Sequence, residues 1–139
     1  MSKRPSRPSN RRRTLVRDRS ARRPAKPTSL SSSSAFAAFV VDQLSELVDV
    51  TAKAMFGGVG IYCNGVFFGV IARDVLYFKT DEVTRPAYLR LGMKPFVPYG
   101  RKRGDQFRYY AVPLDVLESP PALAQWARES VAAAVRLSK

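Results

Sequence analysis

The sequence contains no histidine. That absence excludes the Ser-His-Asp triad, the Cys-His dyad and every histidine-containing metal site. Its single cysteine, Cys63, cannot form an internal disulfide, and thiolate zinc or iron–sulfur sites need several. Cys63 is expected to be a small buried apolar residue. No apolar run approaches the roughly 18 residues that a membrane span requires. The N-terminus is basic but has no apolar stretch behind its charges, so it does not read as a secretory signal. A cytoplasmic protein without membrane contact is the expectation. Acidic residues are also scarce, with 11 Asp plus Glu against 24 Lys plus Arg and a net charge of +13.

The charge is unevenly placed. Residues 1–34 hold 11 of the basic residues and one acid, Asp18, for a net charge of +10, whereas 35–139 carry a net +3. The same first quarter has no aromatic residue, and all 15 aromatics lie from Phe36 onward. It also contains Pro5, Pro8, Pro24 and Pro27 and ends in the serine run Ser31 to Ser34. Such a segment buries too little apolar area to offset the entropy of ordering it. We expect residues 1–33 to be a disordered basic arm and 34–139 to be one globular domain.

Within that domain, Ser33 or Ser34 is placed to cap a helix. Phe36, Phe39, Val40, Leu44, Leu47 and Val48 follow at helical spacing, with Asp42, Glu46 and Asp49 opposite. The period then changes to two. A short strand is expected near 52–56, and Val59, Ile61 and Cys63 alternate with Gly60 and Tyr62. Asn64-Gly65 is a hairpin signal, because both turn positions need positive φ. Val66 to Ala72 reads as the return strand, Arg73-Asp74 as a second tight turn, and Val75 to Lys79 as a further strand. Thr80 or Asp81 can cap a second helix over 82–91, with Tyr88 and Leu89 inward and Gly92 at its end. Two strands are expected at 95–99 and 106–112, joined by the tip 100–105, then a helical turn at 114–117. Ser119-Pro120 starts the last helix, which buries Leu123, Trp126, Ala127, Val131 and Ala134. The order is helix, three to four strands, helix, two strands, helix. That pattern predicts an α+β fold with helices packed on an antiparallel sheet.

No catalytic constellation stands out. The cluster Phe56-Gly57-Gly58-Val59-Gly60 lacks a Gly-Lys-Ser/Thr and precedes a strand, so it offers no helix N-terminus to a phosphate. Asp81 and Glu82 suit a helix start, and Asp74 and Asp105 suit turns. No serine stands in a Gly-x-Ser-x-Gly elbow. We therefore expect no catalytic residue, no cofactor and no metal site. An enzymatic or small-ligand role would require a closed polar pocket, with Tyr62, Lys79 and Asp81 as the candidates.

Two basic features remain. The arm carries Arg11, Arg12, Arg13, Arg22 and Arg23. The tip carries Arg101, Lys102 and Arg103, with Arg108 on the following strand beside Tyr109-Tyr110. Both suit phosphate contact, and a tyrosine can stack on a base. Tyr109 and Tyr110 point to opposite faces of a strand, so at least one belongs to the core. The arm has no aromatic or folded reader, so its binding to DNA or RNA would be independent of sequence.

Several stretches together resemble a known family. Lys53-Ala54-Met55-Phe56-Gly57-Gly58-Val59-Gly60-Ile61-Tyr62 is followed by Asn64-Gly65-Val66-Phe67-Phe68 and by Leu76-Tyr77-Phe78-Lys79-Thr80-Asp81. Then come Gly92-Met93-Lys94-Pro95-Phe96, Tyr109-Tyr110-Ala111-Val112-Pro113 and Leu123-Ala124-Gln125-Trp126-Ala127. This ordered set resembles the N-terminal domain of the TfoX/Sxy proteins, bacterial regulators of competence for DNA uptake, over about residues 36–137. The resemblance implies a compact α+β domain and a non-enzymatic role in transcriptional control of DNA transformation. It also implies work through other regulators, such as the cyclic-AMP receptor protein. It supplies no catalytic or ligand-binding residues. The chain ends soon after its last helix, so the second domain of the longer family members is expected to be absent. The basic arm lies outside the family pattern.

Two functions follow. One is a regulatory module acting through protein contacts, with non-specific DNA affinity from the arm. The other is a direct nucleic-acid binder that uses the arm and the 100–105 tip as one site. Oligomeric state is left open. The arm gives a direct test. Each neutralised duplex phosphate contributes about −0.9 to the slope of log affinity against log salt. Replacing Arg11, Arg12, Arg13, Arg22 and Arg23 with glutamine in the full chain should therefore flatten that slope by up to about 4–5. Fluorescence anisotropy across a salt series measures it.

Overall fold

A computed structural model describes residues 33–55, 57–97 and 107–139. The expected arm, 1–33, therefore lies outside the described residues except for Ser33, as does the 100–105 tip. The elements run α1 (Ser34–Gln43), β1 (Val50–Met55), β2 (Gly58–Cys63), β3 (Val66–Ala72), β4 (Val75–Lys79), α2 (Arg85–Arg90), β5 (Tyr109–Ala111), α3 (Leu114–Leu117) and α4 (Pro120–Leu137). The five strands form one antiparallel sheet in chain order, β1-β2-β3-β4-β5. The fold is α+β, as the hairpin pattern requires.

The local chemistry explains most boundaries. Ser33 caps α1 through its Oγ, which accepts from the Phe36 amide at 3.1 Å. The Ser33 amide itself donates to Asp74 Oδ1 at 2.7 Å, tying the start of α1 to the β3–β4 turn. The β2–β3 turn has Asn64 at φ 53° and Gly65 at φ 80°, the pair of positive values that a two-residue hairpin with right-handed twist needs. Arg73 and Asp74 repeat this form at φ 52° and 60° without glycine. Helix α2 ends in a paired C-terminal motif. The Met93 amide donates to Tyr88 O, and the Gly92 amide, at φ 71°, donates to Leu89 O. In α4, Ser119 Oγ accepts from the Ala122 amide, and proline occupies the first turn.

Several expectations are corrected. Helix α1 stops at Gln43, so the helical stripe does not extend to Val48, which is 72% exposed. Asp49 at φ 60° turns the chain into β1 and ends the periodicity. Phe39 is largely exposed on α1, and Leu89, 55% exposed, points outward rather than inward. Helix α2 begins at Arg85 because residues 82–84 form a turn capped by Asp81. Strand β1 starts at Val50, two residues before the expected strand. The expected strand at 95–99 is, over its described residues, one bridge between Pro95 and Tyr110. Pro95 has no N–H to donate to a ladder. Hydrogen bonds from Phe96 N to Tyr109 O and from Ala111 N to Lys94 O flank that bridge.

The core lies between one sheet face and the helices. Ala52, Ile61, Gly69, Phe78 and Tyr110 are cross-strand neighbours on that face. Ile61, Phe68, Ile71, Leu76 and Phe78 pack with Val40 and Leu44 of α1, Tyr88 of α2, Val116 and Leu117 of α3, and Leu123 and Ala127 of α4. All four helices are thus on one side of the sheet. The register shifts between Ile61 and Tyr62. Ile61 pairs with Gly69 but Tyr62 pairs with Phe67, which leaves Phe68 as an extra residue, a β-bulge. The buried Ser130 hydroxyl of α4 lies 3.0 Å from Phe68 O and 2.8 Å from Lys79 O, within donating reach of both. Sequence periodicity missed this residue, although Ser130 falls three after Ala127 and four before Ala134 on the same stripe.

Removing the Ser130 hydroxyl leaves buried carbonyls without that donor, which costs about 1–3 kcal/mol per unsatisfied group. Ser130→Ala is expected to lower the urea midpoint accordingly with an unchanged m-value.

Candidate functional site

Of the nine residues that the sequence singles out for nucleic-acid contact, only Arg108 is among the described residues. Arg11, Arg12, Arg13, Arg22, Arg23, Arg101, Lys102 and Arg103 lie outside them. Arg108 leads into β5. Its carbonyl accepts from the Thr80 amide at 2.6 Å and the Thr80 hydroxyl at 2.7 Å. Its charge, after the larger effect of burial, helps to lower the pKa of Lys79.

The end of β4 is the most densely bonded polar region. Thr80 is fully buried, and Arg85 Nε donates to its hydroxyl at 3.1 Å. Asp81 Oδ1 accepts from the amides of Val83 and Thr84, both at 3.1 Å, and from the Thr84 hydroxyl at 3.3 Å. The Thr84 hydroxyl in turn accepts from the Asp81 amide. Asp81 Oδ2 takes a donated N–H from Arg136 near the end of α4. The Asp81 side chain is 8% exposed and that of Arg136 45%. Chiefly because of the Arg136 hydrogen bond, helped by the Thr84 amide, the Asp81 carboxyl sits far below the usual carboxylate range; burial opposes this. The sequence offers Thr80 or Asp81 as the cap of a helix; Asp81 caps the turn before α2, and Thr80 does not. The partner of Asp81 is 55 residues away, and no local pattern announces it.

The three side chains named for a small-ligand pocket are not brought together on one wall. By strand alternation, Tyr62 and Lys79 project from the helix-free face of the sheet. Asp81 is turned toward α2 and α4. The Asp81 carboxylate borders a cleft with Arg85, Arg108, Arg136 and Leu137. A second shallow groove separates α2 from α4 and is lined by Val83, Ala87, Arg90, Glu129, Ala132 and Arg136. On and beside α2, Val83 is 71% exposed, Leu89 55% and Leu91 57%. Leu89 lies within α2, Val83 in the turn before it and Leu91 at its C-cap. Cys63 is half-buried against the core, and its thiol donates to Val48 O at 3.3 Å. Burial, and to a lesser degree Asp49, push that thiol up, so it stays protonated near neutral pH.

The Asp81–Arg136 pair makes a pH prediction. A carboxyl with a lowered pKa in the fold adds stability above the ordinary carboxylate range and loses it as pH falls through the folded value. Arg136→Gln should therefore be less stable than the parent at neutral pH. Its stability should also decline less on acidification below about pH 5, so that the two curves converge. Urea midpoints measured across pH give both curves.

Among the described residues no helix is long and apolar enough to cross a membrane, and no three His, Cys, Asp or Glu side chains group as metal ligands would. No curated protein matches the chain. The sequence model of the TfoX N-terminal domain matches residues 42–134. That range runs from the end of α1 into the last turns of α4 and takes in the whole sheet. This chain belongs to the TfoX N-terminal domain family.

Proposed function

We propose that this chain is a non-enzymatic regulatory module in the control of competence for DNA uptake, and that it acts by contact with another protein. The observation that carries the reading is the exposure of Leu89 in α2 and of Val83 and Leu91 at either end of it, on a domain whose family suggests a competence-related regulatory role. Two groups with acid–base or nucleophilic chemistry among the described residues, Asp81 and Cys63, support it, because they are engaged in structure. Asp81 caps a turn and holds Arg136, and the Cys63 thiol is protonated and bonded to a carbonyl. Arg85 and Arg90 lie in α2, which has no acid of its own, and Glu82 and Glu129 line the grooves beside it. The matching partner surface is apolar with charges of both signs around it. A transcription regulator of the cyclic-AMP receptor protein type is the partner class. The arm adds sequence-independent affinity for the DNA on which such a partner sits.

Leu89→Glu and Leu91→Glu change exposed positions and should leave the fold intact. Each is expected to weaken binding to a cyclic-AMP receptor protein by about ten-fold or more, as truncation of an interface anchor does. Val48→Glu, an exposed apolar position beyond the end of α1, should leave it unchanged. Titration of the labelled full chain against the regulator bound to promoter duplex measures all three. Equal affinity for every variant overturns the assignment of the surface.

A further inference from the structure

All four helices pack on one side of the sheet, and the opposite side carries a connected set of rings. Tyr62 and Phe67 are cross-strand partners with ring centres 5.1 Å apart, and Tyr109 lies 5.9 Å beyond Phe67. Tyr77 and Phe96 add a second pair at 5.0 Å, meeting across the small Ala111. The five rings are half-buried, so each keeps part of its surface open to solvent. Lys53 Nζ stands 5.2 Å from the centre of the Tyr62 ring and Lys79 Nζ 5.8 Å from that of Tyr109. These lysines are the only charged residues in the five strands, and no strand contains an acid. Arg108 adds to the positive potential beside Lys79.

Charge decides what can cover this face. A second copy seated face to face would set lysine against lysine, with no carboxylate from any of the five strands between them. The chain's own first 34 residues carry a net +10 and are repelled in the same way. A neutral apolar surface would strand two ammonium groups away from water. A single strand of nucleic acid meets both needs at once, with bases for the rings and phosphates for the lysines. A duplex does not, because its bases are already stacked on each other. An exposed lysine–tyrosine contact is worth about 0.5–1 kcal/mol. A base on an aromatic ring is worth about 1–3 kcal/mol. A base therefore displaces the ammonium from the ring toward the neighbouring phosphate.

We propose that the helix-free face of the sheet is a platform for single-stranded nucleic acid, with Tyr62, Phe67 and Tyr109 as the stacking surface and Lys53 and Lys79 as the phosphate contacts. The platform lies on the far side of the sheet from the helices and does not depend on the protein-contact reading of α2. The shared chemistry, unpaired bases on a phosphate backbone, belongs to DNA and RNA alike.

The test uses the full chain and anisotropy with labelled oligothymidine, oligouridine, an abasic strand and a duplex of equal length, across a salt series. Tyr62→Ala should weaken binding to the two base-bearing strands by about 5- to 100-fold. Tyr62→Phe should retain it. Lys53→Gln should reduce the single-strand salt slope by about 0.7. Duplex and abasic-strand binding, supplied by the arm, should change in none of these except through the lost lysine charge. A preference for oligothymidine or for oligouridine supports the platform and identifies the source, and equal binding supports a platform that reads only rings and phosphates. Circular dichroism and a thermal melt check that Tyr62→Ala folds. Lys53 is exposed, so Lys53→Gln and Lys53→Glu carry the test if it does not. The proposal is overturned if Tyr62→Ala and Lys53→Gln bind single strands as the parent does, with the same slope. It is equally overturned if sedimentation shows a dimer that Tyr62→Ala dissociates, since the face is then covered by a second copy. Leu89→Glu should leave strand binding untouched, which separates this outcome from that of the α2 experiment.

Discussion

The extra residue at Phe68 is the constraint on which both faces of the sheet depend. Strand residues alternate between faces, so an unbroken β3 would send Phe67 and Phe68 to opposite sides and put Phe67 on the side of Gly69. The bulge resets the count. Phe68 and Gly69 both serve the core, and Phe67 is left on the open side opposite Tyr62. Phe68 then meets Phe78 with ring centres 5.4 Å apart, at full burial for both. Each such phenylalanine contributes roughly 1.5–3 kcal/mol by leaving water. A bulge disrupts the ladder locally. Here the Phe68 carbonyl finds the Ser130 hydroxyl, so the irregularity in β3 is satisfied by a residue on α4.

Helix α4 therefore registers the sheet as well as covering it. Its inward positions are small: Ala124, Ala127, Ser130, Ala133 and Ala134 are all buried. Small side chains let the helix backbone approach the strands closely enough for a serine hydroxyl to reach main-chain carbonyls of β3 and β4. The large groups sit toward the start of the helix, where Leu123 is buried and Trp126 meets Tyr88 edge to face at 4.8 Å. At the other end Arg136 reaches Asp81. The helix thus touches the sheet through packing at its start, a neutral hydrogen bond at its middle and an ion pair at its end. Of these, the ion pair alone changes with acid, which is why acid is expected to loosen the α2 corner before the aromatic core.

Most elements were legible in the sequence because their signals are local. The Ser33 and Ser119 caps, the Asn64-Gly65 turn, the Gly92 stop and the alternation in Val66 to Ala72 each depend on chemistry within a few residues. What sequence did not disclose depends on distant partners. Leu89 falls on an apparently inward stripe, yet the single ring of Tyr88 fills the space that α2 covers. Over its described residues the strand expected at 95–99 narrows to a bridge at Pro95, because a residue without an N–H cannot continue a ladder. The site was less legible than the fold. Charge runs drew attention to the arm and to the 100–105 tip. The ring cluster of Tyr62, Phe67 and Tyr109 exists only through the register of three strands and one bulge, and no reading of single segments assembles it. The expectation that Tyr109 and Tyr110 point to opposite faces, with at least one in the core, was the one clue to a ring on the other face.

A two-layer domain leaves one sheet face without helices, and that face must be stable in water by itself. Here it is stabilised by contacts among its own side chains. Gly60 supplies the space for this. A Cβ built there would lie 2.8 Å from the Met55 methyl and 3.0 Å from the Phe67 ring, so both side chains lean over the bare backbone. Burial within this layer also pushes the Tyr109 hydroxyl up to about 12. The rings of this layer pack on one another, Tyr62 on Phe67 and Phe67 on Tyr109. Rings already ordered lose little conformational entropy when a ligand stacks on them. The charge pattern acts in the same direction. The strands carry two lysines and no acid, while the acids among the described residues lie on helices, turns and caps. Among the described residues that charge pattern is what the proposed platform rests on, and the exposed apolar side chains in and beside α2 lie on the helical layer, away from it.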